Sequence, residues 1–348
     1  MISIIGLFCT GREIADGQSI KSWVFSNELE RLFGKDNIKR IDTYGWKKHP
    51  IRLLVSSISA VWHSKHVVFM TDEGGIRIFP WLLSLANVLG KCKVHYVVIG
   101  GWLSKNLRQK HLRRYWLKKM DGIYVETQAM QTAMERLGFT NIHLLPNCKR
   151  LSIIDEKELV YPKRPPFCLC TFSRVMKEKG IEEAVRAVNE INQRHSRTVF
   201  TLDIYGQIDA PQQQWFEHLQ TEFSDAVRYC GVVPYDQSTQ TIKGYHALLF
   251  PTYYTKEGMP GTIIDALAAG VPIIASRWEG FDDILDASTC LSFPFGSYEG
   301  LVDCLEQAAA DPDIINRKKA ACLRSARKYM PESVMKVLAE RLSENQTH

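Results

Sequence analysis

At 348 residues, with 45% hydrophobic and 24% charged residues, the chain has room for two domains of about 150 residues each and the composition of a soluble globular protein. That composition excludes a disordered, fibrous or collagenous chain. The net charge of +6 is unevenly spread: residues 1–150 hold 23 Lys+Arg against 11 Asp+Glu, a net +12, and residues 151–348 hold 21 against 27, a net −6, so an anionic partner is expected on the first half only.

The opening MISIIGLFCTG lacks the basic start of a secretory signal and predicts a buried strand over Ile2–Cys9. A loop with Gly11 and Gly17 follows, then a helix over Ser19–Phe33. Further strands are expected at Lys39–Asp42, His66–Thr71, Lys93–Ile99, Gly122–Glu126 and Ile142–Leu145, with helices between them. Such alternation argues for a parallel sheet covered on both faces. The longest apolar stretch, Ile78–Gly90, falls short of the roughly 20 residues that span a bilayer.

Three places in this half invite a chemical reading. In TDEGG (Thr71–Gly75), Asp72 or Glu73 could touch a sugar at a strand end, or the segment could simply cap a helix. Glu126-Thr127 offers the same choice before a helix from Gln128. The stretch Trp102–Met120 carries seven cations and no acid, and Leu103, Leu107, Leu112, Trp116 and Leu117 recur at helical spacing. A basic amphipathic helix can rest on an anionic membrane surface, or it can pack on a core with a solvated face.

Leu151–Pro166 reads as a linker, charged and ending in YPKRPP, whose prolines disfavour helix. A second alternating set begins with a strand at Phe167–Thr171. There Cys168 and Cys170 are expected to point to one face as small hydrophobes, with no partner pair at metal-site spacing. The nine scattered cysteines thus predict reduced thiols in a cytosolic protein. Helices are expected at Gly180–Gln193, Pro211–Phe223, Thr262–Ala269, Leu301–Ala310 and Pro331–Leu342, and strands at Phe200–Tyr205, Val227–Cys230, Ala247–Pro251 and Ile273–Ala275. The expected layout is an N-terminal domain over 1–150, a linker over 151–166, a C-terminal domain over 167–330 and a closing segment over 331–348. Both domains would be doubly wound and Rossmann-like, with ligands at the carboxyl ends of the strands in a central cleft.

The most informative stretch is KEGMPGTIIDALAAGVPII (Lys256–Ile274). Pro260, Gly261 and Thr262 fit a helix N-terminus, and Gly270 with Pro272 fit its end. The free N–H groups and positive dipole end of such a helix attract a phosphate, and Gly261 admits its close approach. Glu257 before the helix and Asp265 inside it can accept sugar or ribose hydroxyls. Acids near a helix start also suit the dipole on structural grounds alone. A second element adds weight: TFSRVMKEKG (Thr171–Gly180) puts Arg174 and Lys179 after a strand, where two cations could neutralise a diphosphate.

Arg174, Lys179-Gly180, Tyr205-Gly206, Glu257-Gly258-x-Pro260-Gly261 with an acid at Asp265, and Ala269-Gly270-Val271-Pro272 form a series. It resembles that of the retaining glycosyltransferases of family four, which have the two-Rossmann-domain GT-B fold. The likeness spans the second domain. It is looser in the first, resting on Gly17, on Gly100-Gly101 after an apolar strand and on LLPNCKR near the domain's end, and overall it is nearest to bacterial enzymes that build capsule, exopolysaccharide or O-antigen.

The resemblance implies a hexosyltransferase with Arg174 and Lys179 on the donor diphosphate, Glu257 on the donor sugar, Gly261 and Thr262 giving N–H groups to phosphate, and Asp265 on the ribose. Gly206 and the Gly17 loop belong to the same donor-binding set, Tyr229–Tyr235 would border the base, and the helix from Pro331 would cross back onto the first domain. It implies a UDP- or GDP-sugar as donor substrate, no separate cofactor and no metal, with Asp282-Asp283 a metal candidate by composition only. With the basic Trp102–Met120 stretch, it implies a lipid-linked saccharide acceptor and a cytoplasmic enzyme peripheral on the inner face of a bacterial membrane. Two departures stand out: Asp265 replaces the usual Glu, and Ile99-Gly100-Gly101 stands where many relatives carry a His. His95 lies too early and is expected to face into the sheet. Other readings keep the fold and change the chemistry: a soluble-sugar or nucleic-acid acceptor, though no nucleic-acid motif is present, an epimerase, or an exported sugar-binding protein.

Overall fold

The computed structural model describes residues 1–11 and 17–343. They divide into two units. The first comprises residues 1–150, the four-residue segment Lys256–Met259 and the segment from Pro331. The second comprises Leu151–Thr255 and Pro260–Met330. The segment 151–166 therefore packs with the second unit, and the loop bearing Glu257 packs with the first.

Unit one is a six-stranded parallel sheet: β1 (Ile2–Gly6), β2 (Ile38–Asp42), β3 (His66–Met70), β4 (Lys93–Val97), β5 (Gly122–Val125) and β6 (Ile142–Leu144), in the order β2-β1-β3-β4-β5-β6. The helices are α1 (Gly17–Phe33), α2 (Pro50–His63), α3 (Phe79–Ala86), α4 (Leu103–Leu107), α5 (His111–Leu117) and α6 (Gln128–Arg136). β1 and β3 are buried along their whole length because helices cover both faces, so they read as nearly continuous apolar runs, with Ser3 and His66 buried among them. Alternate residues go to opposite sides. Ile5, Val67, Phe69 and Tyr96 meet the helices α2 to α6, while Ile4, Val68, Met70 and Val97 meet α1 and the C-terminal segment.

Unit two holds β7 (Phe167–Phe172), β8 (Phe200–Tyr205), β9 (Val227–Gly231), β10 (Ala247–Phe250), β11 (Ile273–Ser276) and β12 (Cys290–Phe293). Its helices are α7 (Ile181–Arg194), α8 (Gln213–Gln220), α9 (Ser238–Ile242), α10 (Gly261–Ala268), α11 (Tyr298–Ala310), α12 (Asp313–Asn316) and α13 (Lys319–Ala326). α7 shows why the core forms: Ile181, Ala184, Val185, Val188 and Ile191 recur at helical spacing, and all are buried against Phe167, Phe200 and Leu305. The parallel order β12-β11-β10-β7-β8-β9 reverses direction between β7 and β10. In doubly wound sheets that reversal marks where a ligand sits, outside the carboxyl ends of those two strands. Two helices, α14 (Pro331–Val334) and α15 (Lys336–Ser343), return to unit one, where Val334, Met335, Leu338 and Leu342 join Ile2, Ile4 and Leu145 in one core.

Three expectations need correction. The stretch 102–120 is two helices, α4 and α5, rather than one, because the chain turns after Leu107 and Lys110, at φ −116 and ψ 68, is out of the helical region. Leu103, Leu107 and Leu117 are core residues, while Leu112 is exposed. The helix expected over Pro331–Leu342 is likewise two, α14 and α15. Cys170 is buried but Cys168, nearer the start of β7, is exposed. Strand β12 is an addition to the expected strands. Among the described residues no helix is long and apolar enough to cross a membrane.

Candidate functional site

In unit two the loops after β7 and β10 run side by side. Gly180 makes this possible: at φ +74 it occupies the left-handed region, and a Cβ there would lie 2.1 Å from the Pro251 carbonyl oxygen. The Tyr253 N–H donates to Glu178 O at 2.9 Å and the Thr252 hydroxyl to the same oxygen at 3.2 Å. Lys179 is thereby carried over the rings of Phe250 and Tyr254, 5.6 and 5.3 Å from their centres. Arg174 is exposed after β7, its Nη1 3.5 Å from Asp209 Oδ1. Gly206 serves the same loop from the side. A Cβ there would lie 1.8 Å from Ser173 O, so glycine is needed for backbone to meet backbone.

α10 begins at Gly261, with Pro260 as its cap residue and no side-chain hydrogen bond capping it. Pro has no N–H and its carbonyl accepts from Ile263 N at 3.2 Å. Thr262, in the first turn, has a buried hydroxyl with no hydrogen-bond partner. A buried unpaired hydroxyl is unfavourable unless a ligand completes it. Asp265 is buried one turn on, with Thr239 Oγ1 3.4 Å from its Oδ1. α10 ends as expected, with Gly270 at φ +62 just past its last turn.

Glu257 lies in the Lys256–Met259 segment, which packs against Gly100 and Gly101 so closely that glycine is required. Gly101 N–H donates to Lys256 O at 3.0 Å. A Cβ on Gly101 would lie 2.0 Å from Glu257 O, and one on Gly258 would lie 2.9 Å from Gly100 Cα. The loop is held in three further ways. Met259 N–H donates to Glu126 Oε2 at 2.9 Å, Asn147 donates to Met259 O at 3.0 Å, and Lys256 pairs with Glu73 at 2.9 Å. Glu126 Oε1 accepts from Lys21 in a buried ion pair, and Lys21 also donates to Val98 O at 2.9 Å. The Lys256 ammonium, hydrogen-bonded to Glu73, holds that carboxyl below its ordinary range.

Lys21 and the structural use of Glu126 were not found from the sequence, since the pair is 105 residues apart. Thr127 caps α6, accepting from Met130 N at 3.2 Å. Asp72 accepts the N–H groups of Gly74 and Gly75 and so caps a short turn, while Glu73 accepts from Asn106. Gly17 opens α1, with nothing near its missing Cβ, and residues 12–16 of its loop lie outside the described residues. His95 is in the sheet, bonded to His66 at 3.2 Å and Tyr124 at 3.1 Å. Asp282 pairs with Arg277. Among the described residues no cluster of three His, Cys, Asp or Glu side chains could hold a metal.

Residues 166–311 match the family "Glycosyl transferases group 1". The architecture is that of the GT-B glycosyltransferases. HepE of Anabaena, solved with UDP-glucose, superposes with a TM-score of 0.74 at 12% identity, covering 98% of this chain and 99% of that one. Glycogen synthase of Mycobacterium tuberculosis is 24% identical over 233 residues, 64% of this chain and 54% of the relative. The amylovoran biosynthesis glycosyltransferase AmsK of Erwinia amylovora is 20% identical over 162 residues, 45% of this chain and 38% of the relative. The chain thus spans about half the length of the curated relatives it matches or less.

Proposed function

We propose that this chain is a retaining glycosyltransferase that moves a hexose from a UDP- or GDP-sugar to a lipid-linked saccharide, in bacterial surface polysaccharide synthesis. The observation that carries the donor reading is the start of α10: an uncapped helix N-terminus with the buried, unpartnered Thr262 hydroxyl, following β10 at the strand reversal. A diphosphate oxygen would complete that hydroxyl and accept from the N–H groups of Gly261 and Thr262. Arg174 and Lys179, on the loop after β7, would take the remaining phosphate charge. Asp265 would accept a ribose hydroxyl beside Thr239. Gly206 shapes the donor loop rather than touching the donor, and Gly17 would border it.

Glu257, four residues before Gly261 in the chain, would hold donor-sugar hydroxyls. In this reading the acceptor attacks on the face that the diphosphate leaves, and a leaving-group oxygen takes the acceptor proton. The protein's part is then to position both substrates and to stabilise the developing diphosphate charge. The HepE complex with UDP-glucose and the exopolysaccharide role of AmsK support a nucleotide-sugar donor and a polysaccharide product. A membrane-bound acceptor fits the basic first half, and the enzyme would work peripherally at the inner face of the membrane.

The test is release of nucleoside diphosphate from a panel of UDP- and GDP-sugars, with and without membrane lipid extract, for wild type and Glu257→Ala. Turnover of one donor that needs the lipid fraction and is lost in the variant is the expected result. Turnover without lipid would assign a soluble acceptor. Absence of turnover and binding with every donor, in folded protein, would refute the transferase reading.

A further inference from the structure

Residues 43–120 hold fourteen Lys and Arg and only two acids, Asp72 and Glu73, while residues 1–42 and 121–150 together hold nine of each sign. The whole +12 of the first half is therefore concentrated in this stretch. Both acids are engaged, Asp72 by backbone N–H groups and Glu73 by Lys256 and Asn106.

The same stretch turns large apolar side chains outward. In α2, Ile51, Val55, Ile58 and Trp62 lie on one face, spaced by four, three and four residues, and Ile51, Val55 and Trp62 are 75%, 60% and 70% exposed. The face that α2 buries is made of Ser57, Ala60 and Val61, so the usual arrangement of an amphipathic helix is inverted. α3 continues the pattern with Trp81 and Leu85, followed by Val88 and Leu89, each 79% exposed. α5 adds Leu112 and Tyr115. α2 packs on α3 and α3 on α5, all on the same side of the sheet, and the Trp62 indole N–H donates to Ala86 O at 3.1 Å across the first pair. The stripes thus form one surface. Exposed Lys47, Lys48 and Arg52 border it at the α2 end, and exposed Lys110, Lys118 and Lys119 at the α5 end.

We infer that the outer face of α2, α3 and α5 is the surface by which the protein docks on an anionic lipid bilayer. This deepens the membrane part of the reading above and stands apart from glycosyl transfer. It also relocates that contact: the apolar residues entering the interface are those of α2 and α3 with Leu112, not the stripe of Leu103, Leu107 and Leu117, which is core. The two features fit one occupant. A contiguous apolar patch on a soluble domain marks an interaction site. Cations ringing it suit acidic headgroups, and tryptophan suits the boundary between headgroup and acyl chain. A second copy of the chain would set one cationic field against another. Nucleic acid would use the cations and leave Ile51, Val55, Val88 and Leu89 in water.

The test is flotation of the full chain with vesicles of phosphatidylcholine alone and of phosphatidylcholine mixed with phosphatidylglycerol, which supplies a negative surface potential. The variants are Val55→Ser with Trp62→Ser, and Lys47→Gln with Lys48→Gln and Arg52→Gln. Melting curves check folding. Wild type is expected to float with the anionic vesicles only, and each multiple variant to bind at least tenfold more weakly. Brominated lipid should quench wild-type fluorescence and lose much of that effect in Trp62→Phe with Trp81→Phe. No flotation, or flotation unchanged by the Val55 and Trp62 substitutions, overturns the inference. A wild-type dimer that the same substitutions dissociate would assign the face to a second copy, and capture of an acidic protein without vesicle binding would assign it to that protein.

Discussion

Gly101→Ala adds one methyl group where the structure has no room for it. The new carbon would lie 2.0 Å from the Glu257 carbonyl oxygen and 2.8 Å from its carbonyl carbon. Both are backbone atoms, so no rotamer change relieves the clash. Reaching an ordinary contact of about 3.4 Å requires a relative shift of about 1.4 Å between the Gly101 and Glu257 backbones. The Gly101 N–H to Lys256 O bond would be lost or stretched in the process. Overpacking of this kind destabilises by about 1–3 kcal/mol, which lowers the melting temperature by a few degrees. The effect on turnover should be larger. A misplacement of about 1 Å in a positioned group can reduce a rate about 100-fold, and Glu257 is the residue displaced. The assay is nucleoside diphosphate release for kcat and KM, with calorimetry of the free nucleotide diphosphate. The expected result is kcat down about 100-fold with nucleotide affinity nearly unchanged, because Arg174, Lys179 and Thr262 are untouched. A folded Gly101→Ala protein with kcat within about threefold of wild type would refute the link between loop position and catalysis.

Thr262→Val removes a buried hydroxyl that has no partner in the free protein, so it should leave stability unchanged or raise it by up to about 1 kcal/mol. It should weaken nucleotide diphosphate binding about 10- to 100-fold, the worth of a hydrogen bond to a charged group, and unchanged affinity by calorimetry would refute the phosphate assignment. Lys21→Met strands the Glu126 carboxylate in the interior and should destabilise unit one by about 3–5 kcal/mol, with Lys21→Met/Glu126→Gln recovering part of the loss in urea unfolding. Additive losses in that cycle would argue against a coupled pair. Burial pushes His95 in unit one and His246 in unit two down to about 3, with charged neighbours adding to the effect. An unfolded imidazole takes its proton near 6.5, so this stabilisation is complete above about pH 6.5 and is lost as the pH falls toward 3, by up to about 1.4 kcal/mol per pH unit for each residue. Urea midpoints that stay level between about pH 7 and pH 5 would refute it.

The strands were legible because a parallel sheet buried on both faces writes itself as short apolar runs, and His66–Met70 and Phe200–Tyr205 could hardly be read otherwise. Gly261, Thr262 and Gly270 were legible because helix ends have their own residue preferences. The direction in which an apolar stripe faces is not written in its spacing. Periodicity identified the apolar positions of 102–120 but could not show that the helix breaks at Arg108–Lys110, nor that its stripe faces the core. The outward direction of the α2 stripe is not legible, because Ile51, Val55 and Trp62 have the spacing of a core face. Lys21 and Glu126 meet across 105 residues, and no local signal records that. The need for glycine at Gly101 has no local signal either, since it comes from the carbonyl of Glu257 seated on it.

Unit one is not a contiguous stretch of chain, and this bears on the order in which the protein can be made. Its sheet is complete in sequence by residue 144, yet the core that holds Ile2, Ile4 and Leu145 also needs Met335, Leu338 and Leu342. During synthesis that side of the sheet must wait, covered by α1 alone, while nearly two hundred further residues emerge and fold into unit two. A ribosome-bound chain stopped near residue 150 would show the exposed flank of an otherwise formed sheet, a natural substrate for a chaperone. The helices that close the first half to be made are thus synthesised only after the whole of unit two.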